Sequence, residues 1–295
     1  MTMTPAADGP ADAVSSGIEL RAGALRLALR PDLGGCIAGF WHDTLPVLRS
    51  SEPGALTASR PSGCYPLLPY SNRLGYRRFR WLGRDHTTAP NFDASPHSLH
   101  GVGWQRPWTV ASLRADDAVL DLVHPGDADW PFPFEARQVF ALAGDHLNVG
   151  LTLRNTADHP APVGLGWHPY FPKRHRSRLH VELTERWESD ASGLPTRRVP
   201  QSGIDADLVH LDFDHCFEGW PGHARLRDES VHLRLSSSLP YLVVFTPPLK
   251  DYYCVEPVSH VSNAIHMADP AAHGLRTLLP GEHFEAWMKL EVQPL

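Results

Sequence analysis

Short runs of strict alternation constrain this chain more than any other feature. Leu25, Leu27 and Leu29 alternate in RLALRP. Leu147, Val149, Leu151 and Leu153 do so in HLNVGLTLRN, after an Ala143-Gly144-Asp145 turn. Val231, Leu233 and Leu235 repeat the pattern, as do Phe284, Ala286, Met288, Leu290 and Val292. A period of two marks strands with one buried face. The continuous apolar run Tyr241 to Thr246 predicts a strand buried on both faces. The 28 prolines and 23 glycines lie between such runs as turn residues. No amphipathic helix longer than two turns stands out. Together these features predict an all-β chain, a large antiparallel sandwich.

The 295 residues allow one large β domain. No repeat, linker or shift in composition divides them. The polar segment 1–17 lacks the charged start and apolar stretch of a signal peptide and is expected to be a disordered tail. Residues 18–295 are expected to form one domain in the cytoplasm. A net charge of -6 without a basic stripe argues against a nucleic-acid partner. No apolar run reaches the length of a membrane span. The sequence assigns no oligomeric state.

Four cysteines, Cys36, Cys64, Cys216 and Cys254, form no CxxC pair and are expected as buried free thiols. Eighteen histidines raise the question of metal. There is no HExxH motif, and the tight pair His97 and His100 sits between Pro96 and Gly101, where a helix is not expected. No metal and no other cofactor is expected.

Four polar-aromatic segments interrupt the strands. PLLPYSNR, with the residues that follow it, presents Asn72 and Arg73 in a loop. SPHSLHGVGWQRPW carries His100, Trp104 and Trp108. LGWHPYFP holds His168 on an extended segment, because Pro169 disfavours helical angles for the residue before it. DYYCVEPVSHVSNAIH places Glu256 at the end of a strand-like run. A buried carboxylate must be paired, and burial raises its pKa toward the range of a general base.

The order of Asn72-Arg73, Leu99-His100-Gly101, His168-Pro169-Tyr170-Phe171 and Glu256-Pro257 resembles the aldose 1-epimerase (mutarotase) family over roughly residues 34–290. The resemblance implies a galactose mutarotase-like β-sandwich and α/β anomer interconversion of a free sugar. It implies Glu256 as general base and His168 as general acid. Arg73, His100 and Asp214 would hold sugar hydroxyls, with Asn72 and Trp104 beside them. Asp214 is preferred to Asp212 for the Asp-x-x-Phe pattern it makes with Phe217. Trp104, Trp108, Trp167 and Tyr170 are candidate stacking residues. The Glu256 carboxylate is expected to keep His168 protonated near neutral pH. Pro172-Lys173 and Val102-Gly103-Trp104 depart from the pattern of galactose enzymes and bear on which sugar is taken. Two alternatives are a hexose-6-phosphate 1-epimerase and a non-catalytic carbohydrate-binding protein. The first would need a cationic cluster, from Arg73, Arg77, Arg78 and Arg80 or from Lys173, Arg174 and Arg176. A zinc hydrolase would rest on the histidine count alone.

Overall fold

The computed structural model describes residues 17–92 and 95–295. The tail expected over residues 1–17 lies outside them except for its last residue. Among the described residues the regular structure is strand and short 3-10 turns, without an α-helix. Each alternating run is a strand: Leu25–Arg30, His146–Asn155, Val231–Ser237 and His283–Pro294. Tyr241–Phe245 is buried on both faces at its centre.

Two large sheets carry the architecture. The nine-stranded sheet is antiparallel, with Phe134–Leu142, His146–Asn155, His283–Pro294 and Val231–Ser237 at its centre. Its inward residues, among them Val149, Leu151, Leu153, Met288 and Leu290, enter the main core. The eight-stranded sheet supplies the opposite wall of that core through Phe217, Leu242, Val244, Tyr253 and Val255. Burying the apolar face of each sheet against the other is what makes the pair stable. A four-stranded sheet, beginning with Ile18–Ala22 and Leu25–Arg30, adds Leu20, Leu27 and Leu29 to the same core.

The other face of the eight-stranded sheet positions the site. Side chains alternate along a strand, so Cys254 and Glu256 point away from the main core while Tyr253 and Val255 point into it. Cys216, Val243 and Tyr170 share that second face and pack with Tyr65 and Trp104 in a separate aromatic cluster. All four cysteines are buried free thiols.

Candidate active site

Glu256 lies inside the strand Tyr252–Val258, not at a strand end as the sequence reading expected. The strand continues through Pro257 because of a gap in its ladder. On one side it pairs unbroken with Tyr241–Phe245, Val243 standing opposite Glu256. On the other side two short strands divide the pairing. Gly166 faces Val258, and Tyr170 to Pro172 face Cys254 to Tyr252. His168 and Pro169 fill the interval between them. Both Pro169 and Pro257, which lack an N–H, fall in this unpaired stretch, where no ladder bond is lost. One register runs through the gap and sets His168 opposite Glu256. Their Nε2 and Oε1 atoms are 3.4 Å apart.

Both groups are almost wholly buried, Glu256 at 2% exposure and His168 at 7%. Burial pushes the Glu256 carboxyl well above its ordinary value, and the nearby Asp214 pushes it the same way, against the pull of Arg73. Burial likewise drives His168 well below its ordinary value, assisted by His100, Arg49 and Arg60. The expectation that the carboxylate holds His168 as an imidazolium therefore runs against the direction of both shifts. Desolvation disfavours two separated charges here more than pairing favours them. Burial therefore favours the uncharged form of each group.

His168 is held by its surroundings. Its backbone N–H donates to the Tyr65 carbonyl. Its ring stacks on Tyr170 at 4.5 Å and 13° and meets Tyr65 at 4.9 Å. The Tyr65 and Tyr170 hydroxyls are 3.1 Å apart and bond each other. Tyr170 thus supports the imidazole ring rather than offering a free stacking face. Tyr65 was not singled out from the sequence, since no local motif marks it; it reaches the site by pairing alongside residues 168–170.

His100 stands at right angles to His168, ring centroids 5.2 Å apart. Its Nδ1 accepts the Asn72 backbone N–H at 3.1 Å, which leaves Nε2 as the protonated nitrogen of a neutral ring. Burial, with Arg73 and Arg60 adding to it, holds this imidazole down to about 3. His100 is therefore an uncharged N–H donor. Gly101 follows it with φ +67°, and a Cβ there would lie 2.1 Å from the Leu68 carbonyl oxygen, so only glycine fits.

Asn72 acts on Arg73. Its Oδ1 accepts the Arg73 backbone N–H, the Arg73 Nη1–H and the Ser262 hydroxyl. Arg73 is thereby fixed, and its Nη2 lies 3.5 Å from Asp214 Oδ2. The SNAI segment closes the arrangement, because Asn263 donates its N–H to the Arg73 carbonyl and accepts from Gly75. Asp214 opens the strand Asp214–Glu218 on the same face as Cys216 and Glu256. Asp212 precedes that strand, in an exposed position.

Trp104 is 5% exposed, and its indole N–H donates to the carbonyls of Leu99 and Gly101 on either side of His100. It backs the His100 turn. Trp108 donates to Gly103 and Trp167 is buried, so both belong to the core. His97 accepts the Tyr76 N–H at Nδ1 and bonds the Ser192 carbonyl at Nε2, so neither ring nitrogen is open to a metal. Among the described residues His168, Cys254 and Glu256 bring ligand atoms within 4.8 Å of one another. Burial keeps the Cys254 thiol well above its ordinary value, hence protonated.

The family model for aldose 1-epimerase matches residues 16–291. YphB, an uncharacterized protein of Escherichia coli K12, is 31% identical over 288 residues, covering 92% of this chain and 97% of its own. A solved Escherichia coli K12 protein, described as a candidate aldose 1-epimerase, superposes with a TM-score of 0.86 at 30% identity, over 95% of this chain and 99% of that one. The GalM/aldose epimerase homologue of C. elegans shares the fold, with a TM-score of 0.79 at 18% identity over 95% and 99% of the two chains. With that match along its length and a mutarotase-like sandwich around the buried His168–Glu256 pair, this chain belongs to the aldose 1-epimerase family.

Proposed function

We propose that the protein interconverts the α and β anomers of an aldose by acid–base opening and closure of the sugar ring. The observation that carries this reading is the His168–Glu256 pair, two proton-transfer groups opposed at 3.4 Å on one sheet face. Ring opening removes a proton from the C1 hydroxyl and adds one to the ring oxygen. These oxygens are bonded to the same carbon, so base and acid must serve one small volume. With the pair's proton on His168 Nε2, Glu256 as carboxylate takes the hydroxyl proton and the His168 imidazolium gives its Nε2 proton to the ring oxygen as the C1–O bond breaks. Rotation about C1–C2 and the reverse transfers close the ring on the other face.

Burial supports the open-chain stage. Once the ring is open, Glu256 is protonated and His168 is neutral, the distribution that desolvation favours. The two distributions contain the same single proton, so the cycle needs no exchange with solvent. Arg73, His100 and Asp214 supply two donors and an acceptor for sugar hydroxyls, and Asn72 and Trp104 hold the first two in place.

Polarimetry of freshly dissolved α-D-glucose, α-D-galactose and α-D-xylose tests the reading. Acceleration by the intact protein that is lost in His168→Asn is the expected result. Sugar binding without any acceleration would make this a carbohydrate-binding protein on an enzyme fold.

A further inference from the structure

Of the histidine pair His97 and His100, only His100 stands beside His168. His97 is fully buried and serves a different part of the chain. Its Nδ1 accepts the Tyr76 N–H at 2.9 Å, so Nε2 carries the proton and donates to the Ser192 carbonyl at 3.1 Å. Ser192 lies in the turn joining Glu185–Ser189 to Pro195–Pro200, the hairpin at one edge of the eight-stranded sheet. That turn is closely bonded within itself. Asp190 Oδ1 accepts the Ser192 and Leu194 N–H groups and the Ser192 hydroxyl, and the Asp190 N–H donates to the Leu194 carbonyl.

The turn ends against Arg73. Gly193 has φ +84°, and a Cβ on it would lie 2.7 Å from Arg73 Nε and 2.8 Å from its Cζ. The Gly193 backbone therefore rests on the guanidinium itself. Leu194 reaches the next loop residue but one, since a Cβ on Gly75 would stand 3.3 Å from Leu194 Cδ1. Arg73 has little freedom to yield. Its Nη1 donates to Asn72 Oδ1, its Nη2 faces Asp214 at 3.5 Å, and only a quarter of the side chain is exposed. Residue 193 thus meets two independent requirements, a left-handed backbone and the absence of a Cβ. Covered on this side, the guanidinium keeps its remaining N–H groups for the pocket.

We propose that Gly193 is a positioning residue for Arg73, and that the edge hairpin, tied down by His97, forms the wall of the sugar pocket on that side. This rests on the mutarotase reading above. Sugar affinity then depends on a turn that lies outside every motif of the site.

A mutant cycle on the full chain tests it, with Gly193→Ala, Arg73→Lys and the double variant. Anomer exchange of D-glucose, D-galactose and D-xylose is followed by NMR. Gly193→Ala is expected to raise KM about tenfold, the worth of a displaced hydrogen bond to a charged group, with kcat within about twofold of the intact protein. In the Arg73→Lys background the same change should add almost nothing, because lysine has no planar group there for a Cβ to displace. An unchanged KM in Gly193→Ala, or an equal loss with and without the guanidinium, would overturn the proposal. Asp190→Ala loosens the same turn from its exposed side without adding an atom beside Arg73. It should raise KM in the same Arg73-dependent way, and it decides the matter if Gly193→Ala does not fold. Absence of turnover by the intact protein with all three sugars would overturn the mutarotase reading instead. The same cycle read by calorimetric sugar binding then judges Gly193 by itself: a loss of affinity that requires Arg73 supports its role, and a loss independent of Arg73, or no sugar binding at all, refutes it.

Discussion

Asn72 and His100 clasp each other through two hydrogen bonds, one between backbones and one from the Asn72 backbone to the His100 ring. The His100 N–H donates to the Asn72 carbonyl at 2.9 Å, and the Asn72 N–H donates to the His100 ring at 3.1 Å. Both residues lie in the left-handed region, with φ 56° and 64°. That conformation is costly for residues with a side chain, and it persists because each strained turn holds the other. The clasp presents Arg73 and the His100 ring Nε2–H to the same space. Replacing Gly101 by Ala attacks it directly, through a Cβ 2.1 Å from the Leu68 oxygen at φ +67°. Gly101→Ala should lose more than about 1 kcal/mol of stability from the backbone conformation alone. The Michaelis constant should rise as His100 is displaced; denaturant titration and steady-state kinetics read the two effects.

Glu256→Gln keeps the shape of the pocket and removes the base. Turnover should fall by about 10² to 10⁴-fold, the usual worth of one positioned proton-transfer group. Sugar affinity measured by calorimetry should stay within a few-fold of the wild type. A variant that still accelerates mutarotation at the wild-type rate would remove Glu256 from the chemistry.

The pH profile of kcat/KM follows from the direction of two shifts. Glu256 is held above its ordinary 4.5, so it gives up its proton only at higher pH. His168 is held below its ordinary 6.5, so it takes a second proton only at lower pH. The active pair holds one proton, so kcat/KM should pass through a maximum, falling on the acid side when the pair gains a proton and on the alkaline side when it loses one. A profile with no alkaline limb would remove the shared proton from the mechanism.

Asp214→Asn should move the alkaline limb of that profile to lower pH. Asp214 is one of the groups that hold the Glu256 carboxyl up, and Arg73 pulls it down. Removing the aspartate charge deletes the first influence and releases Arg73 from its ion pair. The Michaelis constant should rise as well, because an acceptor for a sugar hydroxyl is lost.

Acid stability turns on histidines buried neutral. His260 accepts the Ser71 N–H at Nε2 and donates from Nδ1 to the Val261 carbonyl. Burial lowers it to about 4. Below its ordinary 6.5 the unfolded chain binds a proton that the folded chain refuses until about 4, so stability is present above that window and is lost as pH falls through it. The contribution is up to about 1.4 kcal/mol per pH unit. His260→Gln should be less stable at pH 7 by about 1–3 kcal/mol for the broken hydrogen bonds, yet its stability should fall less steeply with acid. Urea midpoints across the range for both proteins provide the check.

The sequence made some of this site readable and hid the rest for definite reasons. Strands were legible because alternation is local, and Asn72-Arg73, Leu99-His100-Gly101 and Glu256-Pro257 could be found because each motif is contiguous. Tyr65 and Arg49 were not, since Tyr65 reaches His168 through cross-strand pairing and Arg49 lies over the Tyr170 ring that stacks on it. The place of Glu256 within its strand was misjudged for a similar cause. A proline normally ends a central strand, and the interruption opposite Pro257 belongs to another part of the chain. The protonation of His168 was misjudged because proximity to a carboxylate is visible in a motif and depth of burial is not.

The unpaired stretch that opposes His168 to Glu256 has a consequence for quality control of the fold. A slip of one residue in Tyr252–Val258 would turn Glu256 into the main core and bring an apolar neighbour to face His168. Under the proposed mechanism, no molecule with that misalignment would turn over sugar. Catalytic activity in a refolded sample therefore counts the molecules whose central sheet has closed in its native alignment, a distinction that strand content measured by circular dichroism would miss.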